Sequence, residues 1–484
     1  MKIIQFIIIF LLMINTICRA QESQITTYRI KVYPEKFAFA KTDNKIVTSD
    51  LSINELLNSK VITDMHQSFP YSKKSELLNI YTIKCFVNDT PNVSSILRTS
   101  NSIKKFEIRK APVAMYEPSD YHYTLGWQWS IPKVQANLAW DITKGGDPVT
   151  IAIVDTRFDR YHPDLENKYI VGYDPYSLVD HIWRETTNTW QDHGTIVASI
   201  AISETSGGGK NAAIGFNTKF YAYTWDEGVE KAHHASLALG VDVISISWFD
   251  NDSYDPDDAL AIHEIIDNGT IIAAAAGNGP EHNDGLDCCP FCALNDPRVI
   301  VVTTTGYDDE HTLPGTQDSH YPNVDICAPG FDLMVAMPSK NNPWPYFGTA
   351  TGTSGAAPQV AAVAALMRSV NNCITPEQVE DVIKSTADPV TDEYLYPGLV
   401  GSGRINAYNS VLGAIELGTT HVDNLNLYGT QTFSSGQYLS SSNTTVKNGA
   451  NITYQAGRDI TLAPGFGTEI GGTFQSGNIA ISCP

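Results

Sequence analysis

Residues 348–367 read GTATGTSGAAPQVAAVAALM. Val360, Val363, Ala364 and Met367 recur at the three- and four-residue spacing of one helix face. Ser354 precedes that face, behind Gly352 and Thr353 and ahead of Gly355, Ala356, Ala357 and Pro358, so it falls at or near a helix N-terminus. Unpaired backbone N–H groups and the positive end of the helix dipole favour negative charge there, and an oxyanion is the charge that forms during acyl transfer. Pro358 is expected in the first turn, where its missing N–H costs nothing. The plain alternative is an alanine-rich buried helix capped by a serine. The rest of the chain decides between them.

From Trp127 to about Leu417, short β-branched runs alternate with helical segments. PVTIAIVDT, KFYAYTW, VDVISISWF, TIIAAAAGN and RVIVVTTTG show little polar alternation, as strands covered on both faces should. HGTIVASIAIS, VEKAHHASLALG and PDDALAIHEIIDNG read as helices; Asp255, Pro256 and Asp258 start the last and Asn268-Gly269 stops it. The alternation predicts an α/β domain with a doubly wound parallel sheet, its functional loops at the carboxyl ends of the strands.

Three residues at the ends of these elements have types that cooperate. Asp155 ends VTIAIVD, His193 begins HGTIVASIA, and Ser354 begins the helix quoted above. A serine hydroxyl is a weak nucleophile until an imidazole takes its proton, and that imidazole needs a carboxylate to fix its tautomer and stabilise its charged form. Taken singly, Asp155 also reads as a turn residue, His193 as a helix start and Asn278 as a strand-end turn in Gly277-Asn278-Gly279.

Together, AIVDTRFDRYHPDL, DHGTIVASIA, GVDVISIS, AAAGN and GTSGAAPQVAAVAALM resemble the successive motifs of the subtilisin-like serine proteases, the subtilases, in the order Asp, His, Ser. The resemblance implies a serine endopeptidase acting on protein or peptide substrates, with Asp155 orienting the base, His193 the general acid and base, and Ser354 the nucleophile. It implies that the Asn278 amide joins the Ser354 N–H in an oxyanion hole, and that Ser247, Trp248, Phe249, Ala276 and Gly277 line the substrate cleft. No cofactor is required for this chemistry. Structural calcium is common among such proteins, but no ligands are assigned here. Asp250, Asp252, Asp255, Asp257 and Asp258 lack the glycine and terminal glutamate of an EF-hand loop.

Several residues depart from the family pattern. Arg157 replaces a glycine after Asp-Thr, Ile196 a second histidine, Ser199 a final glycine, and Gly355 the methionine usual after the nucleophile. Trp248 and Phe249 stand where a leucine and a glycine are common, so Phe249 is expected to reshape the primary specificity pocket. These departures keep open a rival reading, a weakly active or inactive subtilase fold serving as a surface-binding or adhesion protein.

Lys2 and the apolar run from Ile3 to Ile14 predict a signal peptide over 1–20, too short an apolar run for a bilayer span. Residues 21–120 read as a small α+β unit, with ITTYRIKVY and LNIYTIKCFV as strands and SINELLNSKVITDMHQ as a helix. The resemblance implies that this unit is a propeptide, a transient inhibitor cut off within about 108–126. Pro112, Pro118 and Ser119-Asp120 are expected to form an exposed linker. The catalytic domain then spans 121–417. Over 421–484, Gly449, Gly457 and Gly465 recur every eight residues, suggesting a β-solenoid-like module. That module resembles the glycine-punctuated C-terminal modules of secreted Bacteroidetes proteins.

The 53 acidic residues against 32 basic ones give a net charge of −21, which argues against nucleic acid as a partner. Outside the expected propeptide, with its Cys85, stand Cys288, Cys289, Cys292, Cys327, Cys373 and Cys483. Export to an oxidising space makes disulfides the default for them, with three thiolates on a metal as the alternative for Cys288, Cys289 and Cys292. The expected location is extracellular or the cell surface.

Overall fold

The computed structural model describes residues 25–42, 45–68, 74–86, 90–109, 116–159, 161–170, 193–207, 209–248, 255–279, 290–312, 319–338 and 346–479. The expected signal peptide, Phe249, Asp250, Asp252, Cys288, Cys289 and Cys483 lie outside the described residues. The chain divides into two compact units, essentially 1–114 and 115–484.

All five β-branched runs form strands, Thr150–Asp155, Lys219–Thr224, Val243–Ile246, Ile271–Ala275 and Val299–Thr305. A sixth, Ile326–Pro329, completes the parallel sheet; its four residues ending in proline give little sequence signal. In space the strands run 326–329, 299–305, 271–275, 243–246, 150–155, 219–224. Ile153 lies opposite Ala222 on one side and Ser245 on the other. The chain thus reverses its direction of winding at the strand that ends in Asp155, and the loops there diverge and open a crevice.

Successive residues of each strand feed opposite faces. Ile151 and Ile153 join Val243, Ala273, Ala275 and Val302 beneath the helices His193–Ile202 and Thr353–Val370. Ala152 and Val154 join Ile244, Ile246, Ile272 and Ala274 beneath Gly228–Leu237 and Pro256–Asp267. Burial on both faces explains why the inner strands show no polar alternation, while the edge strand Lys219–Thr224 keeps exposed and half-buried positions.

Thr353–Val370, the serine helix, differs from the expectation in one respect. It begins at Thr353, so Pro358 sits in its second turn rather than its first. The glycine and the small residues ahead of the proline let the helix start early: Gly352 takes φ +135°, which an L side chain rarely adopts.

The first unit pairs four strands antiparallel in the order Ile62–Gln67, Ile80–Phe86, Ile25–Val32, Ile103–Arg109, with helices Leu51–Asn58 and Thr90–Thr99. The helix expected over SINELLNSKVITDMHQ ends at Asn58, because Lys60 turns the chain at φ 61° and ITDMHQ continues as a strand. The expected exposed linker at Ser119-Asp120 is instead docked in the second unit. Asp120 is buried and its carboxylate accepts the Ser206 N–H, while the Tyr116 ring packs edge-on against Trp140 and Phe216.

The tail is a stack of parallel strands in three sheets of three. Asn451 lies over Thr430 and Thr473 over Asn451, a step of 21 and then 22 residues, so the eight-residue glycine interval is not the coil repeat. Phe433, Tyr454 and Phe474 stack edge-on down its interior. Among the described residues no helix is long and apolar enough to cross a membrane.

Candidate active site

Strand, helix and helix converge at the winding switch. Asp155, at the carboxyl end of its strand, is fully buried, and its Oδ1 lies 2.8 Å from His193 Nδ1. The same oxygen accepts the Thr156 N–H at 2.7 Å, and the Thr156 hydroxyl accepts the Gly194 N–H at 3.0 Å. Two adjacent residues, at the strand end and just beyond it, therefore hold both the ring and the backbone at the start of the histidine helix. Gly194 is required there: a Cβ would stand 2.8 Å from the Phe158 ring. Burial alone would lower the His193 pKa; the Asp155 carboxylate, by charge and by hydrogen bond, outweighs it and holds the imidazole above its ordinary value. Asp155 Oδ2 is buried with no partner among the described residues, so the imidazole is the main answer to its charge.

Ser354 is the second residue of its helix and partly exposed. Its N–H has no intrahelical acceptor at that position. Its hydroxyl donates to the Ser247 carbonyl at 3.4 Å, and among the described residues no hydrogen bond joins it to His193. Asn278 follows the strand Ile271–Ala275 and is exposed. Its Oδ1 accepts the Thr353 N–H at 2.8 Å and the Thr353 hydroxyl at 3.1 Å. With the carbonyl end of that amide fixed, its Nδ2 donors are turned away from Thr353. Gly352 permits this approach, since a Cβ there would lie 3.0 Å from Asn278 Oδ1.

The remaining expected cleft residues sit deeper. Ser247 is buried, and its hydroxyl donates to the Ser354 carbonyl at 3.2 Å. Trp248 packs edge-on against Phe291 in the second core and lies over Gly228, where a Cβ would meet the indole at 2.4 Å. Ala276 and Gly277 spend their backbone groups within the fold: Ala276 N–H on Val302, Gly277 N–H on the Thr353 hydroxyl. Thr353, which sequence reasoning passed over, thereby straps the serine helix to the asparagine loop. Its only sequence signal is its place beside Ser354.

Three of the departures from the family pattern, Gly355, Ile196 and Ser199, are locally accommodated. A Cβ on Gly355 already stands 2.8 Å from Leu333 Cδ1, and Ile196 packs against Leu333 and Val335. The Ser199 hydroxyl accepts the Ala336 N–H at 3.0 Å, tying the helix to the hairpin Leu333–Met337 with Tyr346–Ala350.

Two of the six cysteines depart from the disulfide expectation. Cys292 and Cys327 are buried thiols, their Sγ donating to the carbonyls of Ala275 at 3.3 Å and Val400 at 3.1 Å. Each is enclosed in a core of its own, and burial raises the Cys327 pKa far above the usual thiol range. Cys373 is disulfide-bonded. No group of three or more His, Cys, Asp or Glu side chains suited to a metal occurs among the described residues, and Asp255 serves as a helix cap, accepting the Asp257 N–H at 2.9 Å.

A family profile described as the subtilase family matches residues 146–427. A thermophilic serine proteinase of Bacillus sp. (strain AK1) is 29% identical over 334 residues, 66% of this chain and 76% of its own length. Thermitase of Thermoactinomyces vulgaris is 29% identical over 308 residues, 61% of this chain and 99% of its own. Among solved structures, a protease from Pseudoalteromonas arctica superposes with a TM-score of 0.51 at 23% identity, covering 62% of this chain and 100% of that one, a likeness of fold.

Proposed function

Since the chain belongs to the subtilase family and is a serine-type endopeptidase, we propose that Asp155, His193 and Ser354 are its catalytic triad and that it hydrolyses peptide bonds in proteins through an acyl-enzyme. The observation that carries this is the 2.8 Å contact between Asp155 and His193, with Ser354 at a helix N-terminus beside Asn278.

In this reading the Ser354 hydroxyl turns from the Ser247 carbonyl to His193, whose Nδ1–H is held by Asp155 and whose Nε2 takes the proton. Oγ attacks the scissile carbonyl, and the oxyanion is held by the Ser354 N–H and Asn278 Nδ2. His193 passes its proton to the leaving amine. A water activated by the same imidazole then releases the acyl group.

We further propose that the protein is exported and acts outside the cytoplasm. The charged and apolar start of the chain supports this, as does the disulfide at Cys373, a bond that persists in oxidising compartments. The first unit acts as a propeptide and transient inhibitor, and cleavage falls between Arg109 and Tyr116. Tyr116 and Asp120 bind within the second unit, so a cut after them would discard part of its packing. N-terminal sequencing of exported protein locates the cut, and an intact N-terminus would refute processing.

A fluorophosphonate probe tests the central reading. Wild type should label and Ser354→Ala should not; a wild type that neither labels nor cleaves casein would leave only a binding protein with this fold.

A further inference from the structure

Ser247 and Ser354 exchange two hydrogen bonds, and a proline explains why. In an α-helix the N–H of residue 358 would donate to the carbonyl of Ser354. Pro358 has no N–H, and its ring crowds that carbonyl and tilts it outward. The Ser354 carbonyl, on the same residue as the reacting hydroxyl, is thus denied its helical partner in a part-buried position, where an unpaired acceptor is costly. The Ser247 hydroxyl takes the place of the missing donor at 3.2 Å. It comes from the end of the strand beside the one that bears Asp155, so it ties the nucleophile's backbone to the sheet that also positions the base.

We propose that the Ser247 side chain is a positioning residue for the nucleophile, substituting for the helix bond that Pro358 removes. This rests on the assignment of Ser354 as nucleophile. The hydroxyl fixes the peptide plane that follows Ser354 and therefore the direction of its Cα–Cβ bond. Because its proton is committed to the Ser354 carbonyl, it does not donate to Ser354 Oγ, whose lone pairs stay available for attack. The return bond, from Ser354 Oγ to the Ser247 carbonyl at 3.4 Å, is long and easily surrendered to His193.

A double-mutant cycle on the full chain tests this, with active sites counted by fluorophosphonate labelling and kcat and KM measured on a peptide anilide. Ser247→Ala should lower kcat about fivefold with KM little changed, the scale of one hydrogen bond. Pro358→Ala restores a backbone N–H for the Ser354 carbonyl, so in that background the same Ser247→Ala change should cost less than about twofold. Ser247→Thr keeps the donor and should stay within about twofold of wild type. If Ser247→Ala costs the same factor in both backgrounds, or Thr falls as far as Ala, the side chain merely packs and the proposal is overturned. Where Ser247→Ala does not fold, Ser247→Cys, a weaker donor of similar size, takes its place in the cycle: a smaller cost in the Pro358→Ala background supports the proposal, and an equal cost overturns it. Failure of wild type itself to label is a separate result that needs no variant and overturns the endopeptidase reading together with this one.

Discussion

The two ends of the serine helix are built for opposite purposes. At the carboxyl end the last carbonyls are answered: Asn371 N–H donates to Met367 at 2.9 Å and the Tyr438 hydroxyl of the tail to Val370 at 3.0 Å, while the Ser369 hydroxyl adds a bond to the Leu366 carbonyl at 2.7 Å. At the amino end the polar groups are held by neighbours that are themselves loops, and the Ser354 N–H has no partner within its helix. Hydrogen bonds to Thr353, Gly352 and Ser354 fix the backbone around a deliberate gap in the pairing. One end closes the helix off. The other leaves the Ser354 N–H without a helical acceptor, and in the proposed mechanism that donor and the dipole of an 18-residue helix face the developing oxyanion.

The sharpest way to break this contrast is to disable the amino end while leaving the carboxyl end alone. Asp155→Asn should cut kcat about ten-thousandfold, because the amide can no longer hold the His193 tautomer. Its thermal unfolding should show whether the fold survives. A loss under about tenfold would mean that Asp155 is only a strand-end residue. Asn278→Leu comes next. It removes the proposed side-chain oxyanion donor and should lower kcat about a hundred- to a thousandfold with KM nearly unchanged. A change confined to KM would place Asn278 in substrate binding instead.

What the sequence made legible follows the same division. Asp155, His193 and Ser354 sit at element boundaries marked by apolar periodicity, so both their types and their places could be read. The sheet was readable for a related reason: strands buried on both faces leave long apolar runs, whereas Ile326–Pro329 is short and ends in proline. Contacts between distant residues left no local trace. Gly355 looks like a defect until Leu333 is seen filling its space, and Pro358 looks like a helix start until Ser247 is seen answering the carbonyl it frees. The fates of Cys292 and Cys327 were hidden likewise, since a thiol's reach to a partner depends on which core encloses it.

A pH experiment sharpens the comparison with a smaller effect. The Asp155 carboxylate raises the His193 pKa above its ordinary 6.5, and the proposed base would work only when neutral. The acid limb of kcat/KM should therefore have its midpoint above 6.5, and Asp155→Asn should shift that limb to lower pH in the residual activity. Stability runs the other way. A histidine whose folded pKa is raised contributes stability fully below its unfolded value and loses that contribution as pH rises through the folded value. Denaturant unfolding between about pH 5 and 8 should show wild type gaining stability relative to His193→Ala as the pH falls. The amino end is thus most stable in the protonation state in which it cannot act. A parallel pH profile for the two proteins would remove His193 from the pair.

The smallest effect belongs to the carboxyl end and asks whether the two ends are independent. Tyr438→Phe deletes the hydroxyl that donates to Val370 and keeps the ring. The Val370 carbonyl is then left without that donor at a partly buried junction, a cost of about 1 kcal/mol. The Gln437 side chain, which reaches Asn372 and Cys373 Sγ from the same coil of the tail, still holds the junction together. The expected result is a modest fall in unfolding midpoint with kcat and KM at wild-type values, because 16 residues of largely buried helix lie between Val370 and Thr353. If kcat falls as well, the tail is not only a cap on the helix but sets the axis along which Ser354 is presented, and the amino end cannot be understood without it.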